Sequence, residues 1–153
     1  GFNDERPGNT ARSLAFGHYC YELARRWALE RKQFGRALAE FQGLQWKFAD
    51  MKIKLDAAQL LLYRAAVNAD RGLPSAEETA IAKAYCNQAG FEICSEAMQV
   101  MGGMGYTEET LIEWCFRKCR GWMIAGGSIE GLKNRIAEAV FVASFSQRPP
   151  KGD

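Results

Sequence analysis

Between Pro7 and Pro74 the chain has no proline, and it carries two long runs of apolar residues with a helical beat. In the first, Phe16, Cys20, Leu23 and Trp27 recur at spacings of four, three and four; in the second, Leu44, Phe48, Met51, Leu55, Ala58 and Leu62 keep a similar period. Such spacing puts each set on one side of a helix, so both runs predict long helices that bury an aromatic and methionine stripe. Arg31 to Phe41 contains Gly35 and breaks the period, which predicts a structured loop joining two antiparallel helices. The second helix is expected to stop at Arg71-Gly-Leu-Pro74, where glycine supplies a cap and proline forbids continuation. Ser75-Ala-Glu-Glu78 reads as a capping box opening a third helix, whose apolar stripe is Ile81, Tyr85, Phe91, Cys94, Met98 and Met101. Gly102-Gly103 ends that helix. A shorter helix from Glu108 to Arg120, the Gly126-Gly127 turn and a final helix with Ile129, Leu132, Ile136, Val140 and Ala143 inward complete the pattern. With no β-type alternation or repeat, the expected fold is all-α: an antiparallel four-helix bundle with an extra short helix over residues 1–147, and a flexible tail over 148–153.

Composition narrows the function classes. The chain has 153 residues, 48% hydrophobic and 25% charged, which suits one compact domain with its own core. A formal charge of +2, with both signs interspersed along the helices, reads as a solvated surface, so no nucleic-acid partner is expected. No run reaches the roughly 18 apolar residues of a membrane span, and the polar start resembles no signal peptide; a soluble chain without a membrane partner is expected. The five cysteines, Cys20, Cys86, Cys94, Cys115 and Cys119, form no C-x-x-C pair and are odd in number, which points to a reducing compartment. Cys115 and Cys119 stand four apart on a helix, but zinc wants four ligands and the chain holds one histidine, so no metal site is expected. His18 reads as a packed or surface imidazole.

Two glycine-centred segments carry the candidate chemistry. Gln99-Val-Met-Gly-Gly-Met-Gly-Tyr106 and Ile124-Ala-Gly-Gly-Ser128 interrupt a helical chain where backbone must lie bare. Glycine lets main-chain N–H groups approach a phosphate or a carbonyl oxygen without Cβ interference, and a helix beginning just after adds its positive dipole end. Each segment taken alone reads first as a plain cap and turn, and only second as a cofactor contact.

Glu30-Arg-Lys-Gln-Phe-Gly35, followed by Glu40-Phe-Gln42 and the helical run from Leu44 to Leu62, adds a third signature. From Glu5-Arg6-Pro7 through these segments to the Gly-Gly-Ser turn, the order and spacing over nearly the whole chain resemble the acyl-CoA dehydrogenase family. The resemblance is to the C-terminal helical domain of those flavoenzymes, without their N-terminal helical and middle β domains. It implies FAD as cofactor and an acyl-CoA substrate, dehydrogenated between its α and β carbons. It also implies a dimer or tetramer built through the bundle, electron-transfer flavoprotein as a partner, and a cytoplasmic location, or the mitochondrial matrix in a eukaryote.

The resemblance also assigns residues. Many members place the base glutamate directly before the Gly-Thr or Gly-Ser turn, where this chain has Gly126. Long-chain and isovaleryl members carry it before an arginine near the start of the domain's first helix, and Glu5-Arg6 falls on that position, which makes Glu5 the implied base. Without the family, Glu5 reads as a first-turn acid complementing a helix dipole. Arg31 matches the arginine that reaches a neighbouring subunit's FAD pyrophosphate, where a guanidinium fork suits phosphate oxygens. Lys32, Gln33 and Phe34 adjoin it, and Phe41 with Gln42 forms a second flavin-adjacent pair. Gln99, Val100, Met101, Gly102 and Gly103 resemble the strip along the adenosine half of that FAD, while Ser128 and Glu130 match positions at the subunit's own flavin. Asn3, Asp4 and Arg6 fall in the segment lining the acyl-CoA site, and Gly126 with Gly127 offers backbone to the thioester oxygen.

Two positions depart from the pattern. Lys118 follows Arg117 where relatives carry an aspartate, and Gly131 replaces the usual isoleucine after the Gly-Gly-Ser turn. Two classes of function therefore stand open: the C-terminal domain of such an enzyme, inactive as an isolated fragment, or a helical oligomerisation module or silent partner subunit.

Overall fold

The computed structural model describes residues 2–70 and 75–146, and for residues 2–7, 69 and 70 only the helical backbone. The expected stop at Arg71-Gly-Leu-Pro74 and the tail over 148–153 lie outside the described residues. Helix α1 (Phe2–Glu30) leads into a two-stranded antiparallel ribbon, β1 (Lys32–Gln33) and β2 (Arg36–Ala37). One 3-10 turn (Leu38–Glu40) then precedes α2 (Gln42–Asp70). Beyond it come α3 (Ala76–Met101), the single-turn α4 (Gly103–Tyr106), α5 (Ile112–Trp122) and α6 (Ile129–Phe141).

The all-α bundle is as expected, and α3 is its central member. Ser13 of α1 meets Cys86, and Gly17 lies against Gly90 and Ile93, so α1 and α3 run parallel. Lys47 pairs with Glu96 and Lys54 with Glu92, which sets α2 antiparallel to α3. The fourth wall is split between two half-length helices. Helix α5 packs Ile112, Cys115 and Cys119 against Cys20, Cys94 and Ala97, while α6 packs Ile129 and Leu132 against Ala80 and Ala84. Between α1, α2 and α3, Leu14, Met51, Leu55 and Ile93 form a further layer, each such large side chain stabilising the fold by roughly 1.5–3 kcal/mol.

Enclosure on all sides changes what α3 buries. Its expected stripe is wrong in part: Ile81, Phe91 and Met98 are only half-buried and Tyr85 is exposed, whereas Ala80, Lys83, Cys86, Asn87, Ala89 and Gly90 are buried. A helix held between several others has no single apolar face, and small residues let its neighbours close in. At Gly90 an ideal Cβ would stand 2.4 Å from Ser13 Oγ and 2.7 Å from Ser13 O, so α1 and α3 touch backbone to backbone there.

Other local expectations are corrected as well. The Arg31–Phe41 loop contains the ribbon, whose Phe34 and Gly35 have φ of 52° and 79°, as a tight two-residue hairpin turn requires. Strands of two residues are too short to show alternation. The short helix starts at Ile112 in place of Glu108, and α4 is an additional turn. Val140, in the last turn of α6, is exposed, and Ala143, expected inward on that helix, lies beyond its end at Phe141 and is exposed as well. Half of the capping box forms: Ser75 Oγ accepts from Glu78 N at 3.0 Å, but the Glu78 carboxylate accepts from Asn68 Nδ2 at 2.7 Å. All five cysteines are buried free thiols, and His18 is exposed. Among the described residues no group of three or more metal-ligating side chains is gathered, and no helix is long and apolar enough to cross a membrane.

Candidate functional site

Chain ends of helices meet at two places on α3. At its C-terminal end, Val100 and Met101 turn through Gly102, whose N–H closes on Met98 O at 2.9 Å. Opposite stands the connection from α1, held by Arg31 N donating to Trp27 O at 2.8 Å and Leu38 N donating to Arg31 O at 2.9 Å. These two segments border an open hollow of about 430 Å³ lined by Trp27, Arg31, Gln33, Leu38, Val100, Met101, Gly102, Gly103 and Met104. Gly102 and Gly103 have open space where side chains would be, which leaves their backbone accessible. One exposed guanidinium facing bare backbone suits an extended anion such as a pyrophosphate.

The second place lies near the N-terminal end of α3, where α5 gives way to α6. Gly126 and Gly127 have φ of 68° and 101°, a left-handed region that glycine enters without strain. Their turn rests on α3 and α1. Lys83 Nζ donates to Ala125 O at 3.0 Å and Gly127 O at 2.8 Å, and Asn87 Nδ2 donates to Trp122 O at 2.9 Å. These bonds satisfy the last carbonyl of α5 and two carbonyls of the turn that follows it, and a cation suits the negative end of the α5 dipole. Lys83 is fully buried, which would cost several kcal/mol without such compensation. A Cβ at Gly126 would stand 3.6 Å from Asn9 Nδ2 and 3.8 Å from Lys83 Nζ. Among the described residues the amides of Gly126, Gly127 and Ser128 donate to no group of the chain, whereas Ala125 N and Ile129 N do. Three consecutive donors are therefore open.

The residues predicted from sequence divide between these places. Arg31, Gln33 and Val100 to Gly103 line the hollow together; Lys32, Gln42 and Gln99 are exposed and line none of it. Phe34, 92% exposed, packs edge-on against half-buried Phe41, which Arg36 covers at 4.1 Å from the ring centre. Ser128 caps α6, its Oγ accepting from Gly131 N at 3.2 Å, so the glycine at 131 leaves that helix start intact. Exposed Glu130 has its carboxyl below the usual range, chiefly because its own backbone amide donates to it, with the Ser128 hydroxyl second. Lys118 lies over the Trp114 ring at 5.4 Å. Asn3, Asp4, Glu5 and Arg6 belong to the first turns of α1, and their side chains lie outside the described residues. Asn9, one turn after Glu5 on α1, touches the Gly126 position, so that end of α1 faces the turn.

Sequence reasoning missed Lys83 and Asn87. Their signal was two polar residues four apart in an alanine-rich helix, where burial demands partners. The two places are separated along α3 by about 25 Å, from Lys83 to Val100, at the helical rise of about 1.5 Å per residue.

Comparison with known proteins follows the same lines. The family profile of the acyl-CoA dehydrogenase C-terminal domain matches residues 1–141. The 3-sulfinopropanoyl-CoA desulfinase of Paraburkholderia xenovorans is 35% identical over 147 residues, 96% of this chain and 38% of that protein. Subunit CarC of the caffeyl-CoA reductase-Etf complex of Acetobacterium woodii is 38% identical over 123 residues, 80% of this chain and 32% of that protein. The solved butyryl-CoA dehydrogenase of Megasphaera elsdenii superposes with a TM-score of 0.88 at 31% identity, covering 92% of this chain and 37% of that one. The chain thus spans less than two fifths of these relatives. One profile spans the helical core, the hairpin loop, the glycine strip and the glycine turn of this chain, and the chain belongs to the acyl-CoA dehydrogenase family, matching its C-terminal domain.

Proposed function

We propose that this chain is the C-terminal domain of an FAD-dependent enzyme that dehydrogenates an acyl-CoA thioester between its α and β carbons. The observation carrying the reading is the convergence of Arg31 and Gln33 with Val100, Met101, Gly102 and Gly103 in one hollow, about 25 Å along α3 from a turn with open amides. Such a distance separates two sites: the hollow serves the pyrophosphate and adenosine of a neighbouring subunit's FAD, and the turn serves the subunit's own reaction centre. The guanidinium of Arg31 and the accessible backbone of Gly102 and Gly103 fit the cofactor, which when bound would supply a hydride acceptor. Within the chain, Glu5 takes the α proton, and the Gly126 amide donates to the thioester oxygen as negative charge develops there. Asn3, Asp4, Arg6 and Gly127 line the acyl-CoA, and Ser128 and Glu130 border the subunit's own flavin. Lys32, Phe34, Phe41, Gln42 and Gln99 flank the hollow on the side where the second subunit docks. A homo-oligomer follows from this sharing. Electron-transfer flavoprotein is the proposed acceptor, in keeping with the complex that names CarC.

Glu5→Gln in the full-length protein tests the base. Reductive turnover is expected to fall roughly 10²- to 10⁴-fold with bound flavin retained. Near-normal flavin bleaching by butyryl-CoA would refute the assignment. A second reading, hydrolytic removal of the sulfinate group from 3-sulfinopropanoyl-CoA, in which the C–S bond breaks while water gives its oxygen to sulfur and a proton to the carbon, leaving propanoyl-CoA and sulfite, is favoured by the desulfinase relatives and by a glycine at the usual base position. Sulfite release from that thioester, undiminished in Glu5→Gln, would select it over dehydrogenation.

A further inference from the structure

An amide that stabilises a developing oxyanion must be aimed, and the Gly126–Gly127 turn is too short to aim itself. We propose that Lys83, assisted by Asn87, is a positioning residue that turns the Gly126 and Ser128 N–H groups out of the bundle toward the thioester; the thioester part rests on the function proposed above.

The argument starts from peptide geometry. In a trans peptide unit the C=O and the following N–H lie in one plane and point in opposite directions. Lys83 Nζ holds the Ala125 carbonyl at 3.0 Å, which directs the Gly126 N–H away from α3. The same ammonium holds the Gly127 carbonyl at 2.8 Å and so directs the Ser128 N–H away as well. Left-handed backbone at both glycines lets carbonyls two residues apart converge on one cation. Asn87, one turn along α3, fixes the Trp122 carbonyl where the turn begins.

The unfilled donors coincide with the peptides that Lys83 holds. Ala125 N and Ile129 N, on either side, close on Gly121 O at 2.9 Å and Met123 O at 3.1 Å, while among the described residues Gly126 N and Ser128 N bond to nothing in the chain. Charge adds to geometry. A cation on a carbonyl oxygen polarises the whole peptide unit, and its N–H becomes a stronger donor. Lys83 is completely buried, so water does not screen that effect.

The test uses the full-length protein that carries this chain, with Lys83→Met, which keeps the length of the stem and removes the donors. Hydrogen exchange needs no activity: the Ala125 and Ile129 amides should exchange roughly tenfold faster or more, with the C-terminal half of α3 unchanged. With butyryl-CoA as probe, kcat should fall about 100-fold while KM stays within about threefold and flavin content is unaltered, because the amide acts on charge that develops only during reaction. Unchanged exchange at Ala125 and Ile129 overturns the positioning role. Faster exchange with unchanged kcat overturns the link to the thioester. If the unsubstituted protein turns over no thioester, the functional reading fails and exchange alone decides the positioning role. Should Lys83→Met not fold, Asn87→Leu takes its place with smaller shifts in the same direction, and their absence overturns the proposal.

Discussion

Arg31 is exposed, yet its backbone is fixed at both ends, by Trp27 O and by Leu38 N. A long cationic side chain on a fixed base is suited to a phosphate arriving from outside the chain. Arg31→Ala in the full-length protein should weaken FAD retention roughly 10- to 100-fold, the worth of a charged hydrogen bond, with acyl-CoA binding little changed. Flavin content after gel filtration measures it, and an undiminished content would remove Arg31 from the cofactor site. Gly126 presents the opposite case. A side chain introduced there would meet Asn9 and Lys83 at ordinary contact distance but would stand on left-handed backbone, which carries a strain that glycine avoids.

Among the elements, the α1–α3 crossing sets the framework on which both sites depend. Gly90 has no room for a methyl group, since Ser13 Oγ and Ser13 O already occupy the space. Alanine would gain up to about 1 kcal/mol in helix propensity, but overpacking typically costs roughly 1–3 kcal/mol and the obstacle here is backbone, so the steric term wins. Gly90→Ala is expected to lower Tm by several degrees, at about 2–4 °C per kcal/mol for a domain of this size. A melting curve that rises instead would mean that α1 shifts freely on α3. The hairpin of β1 and β2 follows a different logic. It exposes Phe34 almost completely and covers Phe41 with Arg36, an arrangement that makes sense for a surface meeting another molecule.

Apolar surface also remains where the helices finish their own packing. Phe34 is 92% and Met104 39% exposed, while Phe41 is half-buried. On the outer side of α2, Trp46, Ile53, Leu60 and Val67 stand seven apart and are 50–69% exposed, a stripe facing away from the core. A seven-residue repeat on one helix face suits packing against another helix. The 153-residue chain alone should therefore self-associate through α2 and bind FAD weakly, since it supplies only part of that site. Sedimentation at tens of micromolar, with and without FAD, checks both expectations. A strict monomer, or tight stoichiometric flavin uptake, would contradict this assignment of surfaces.

Amino-acid order alone determined the long helices, because a stripe such as Leu44, Phe48, Met51, Leu55 needs no partner to be recognised: the 3.6-residue period is local. It also determined that backbone is bare at Gly102-Gly103 and Gly126-Gly127, and it marks Arg31, Gln33 and Val100 to Gly103 among the residues of the hollow, though not Leu38. What folding settled is non-local. Which side of α3 is buried depends on four neighbours at once, so Ala80 and Gly90 went inside while Tyr85 stayed out. The split of the fourth wall between α5 and α6 depends on where each runs out of α3 to cover. Lys83 shows the limit most clearly. Along the chain it is one lysine among many charges, and only the return of the turn, some forty residues later, brings two carbonyls to its ammonium.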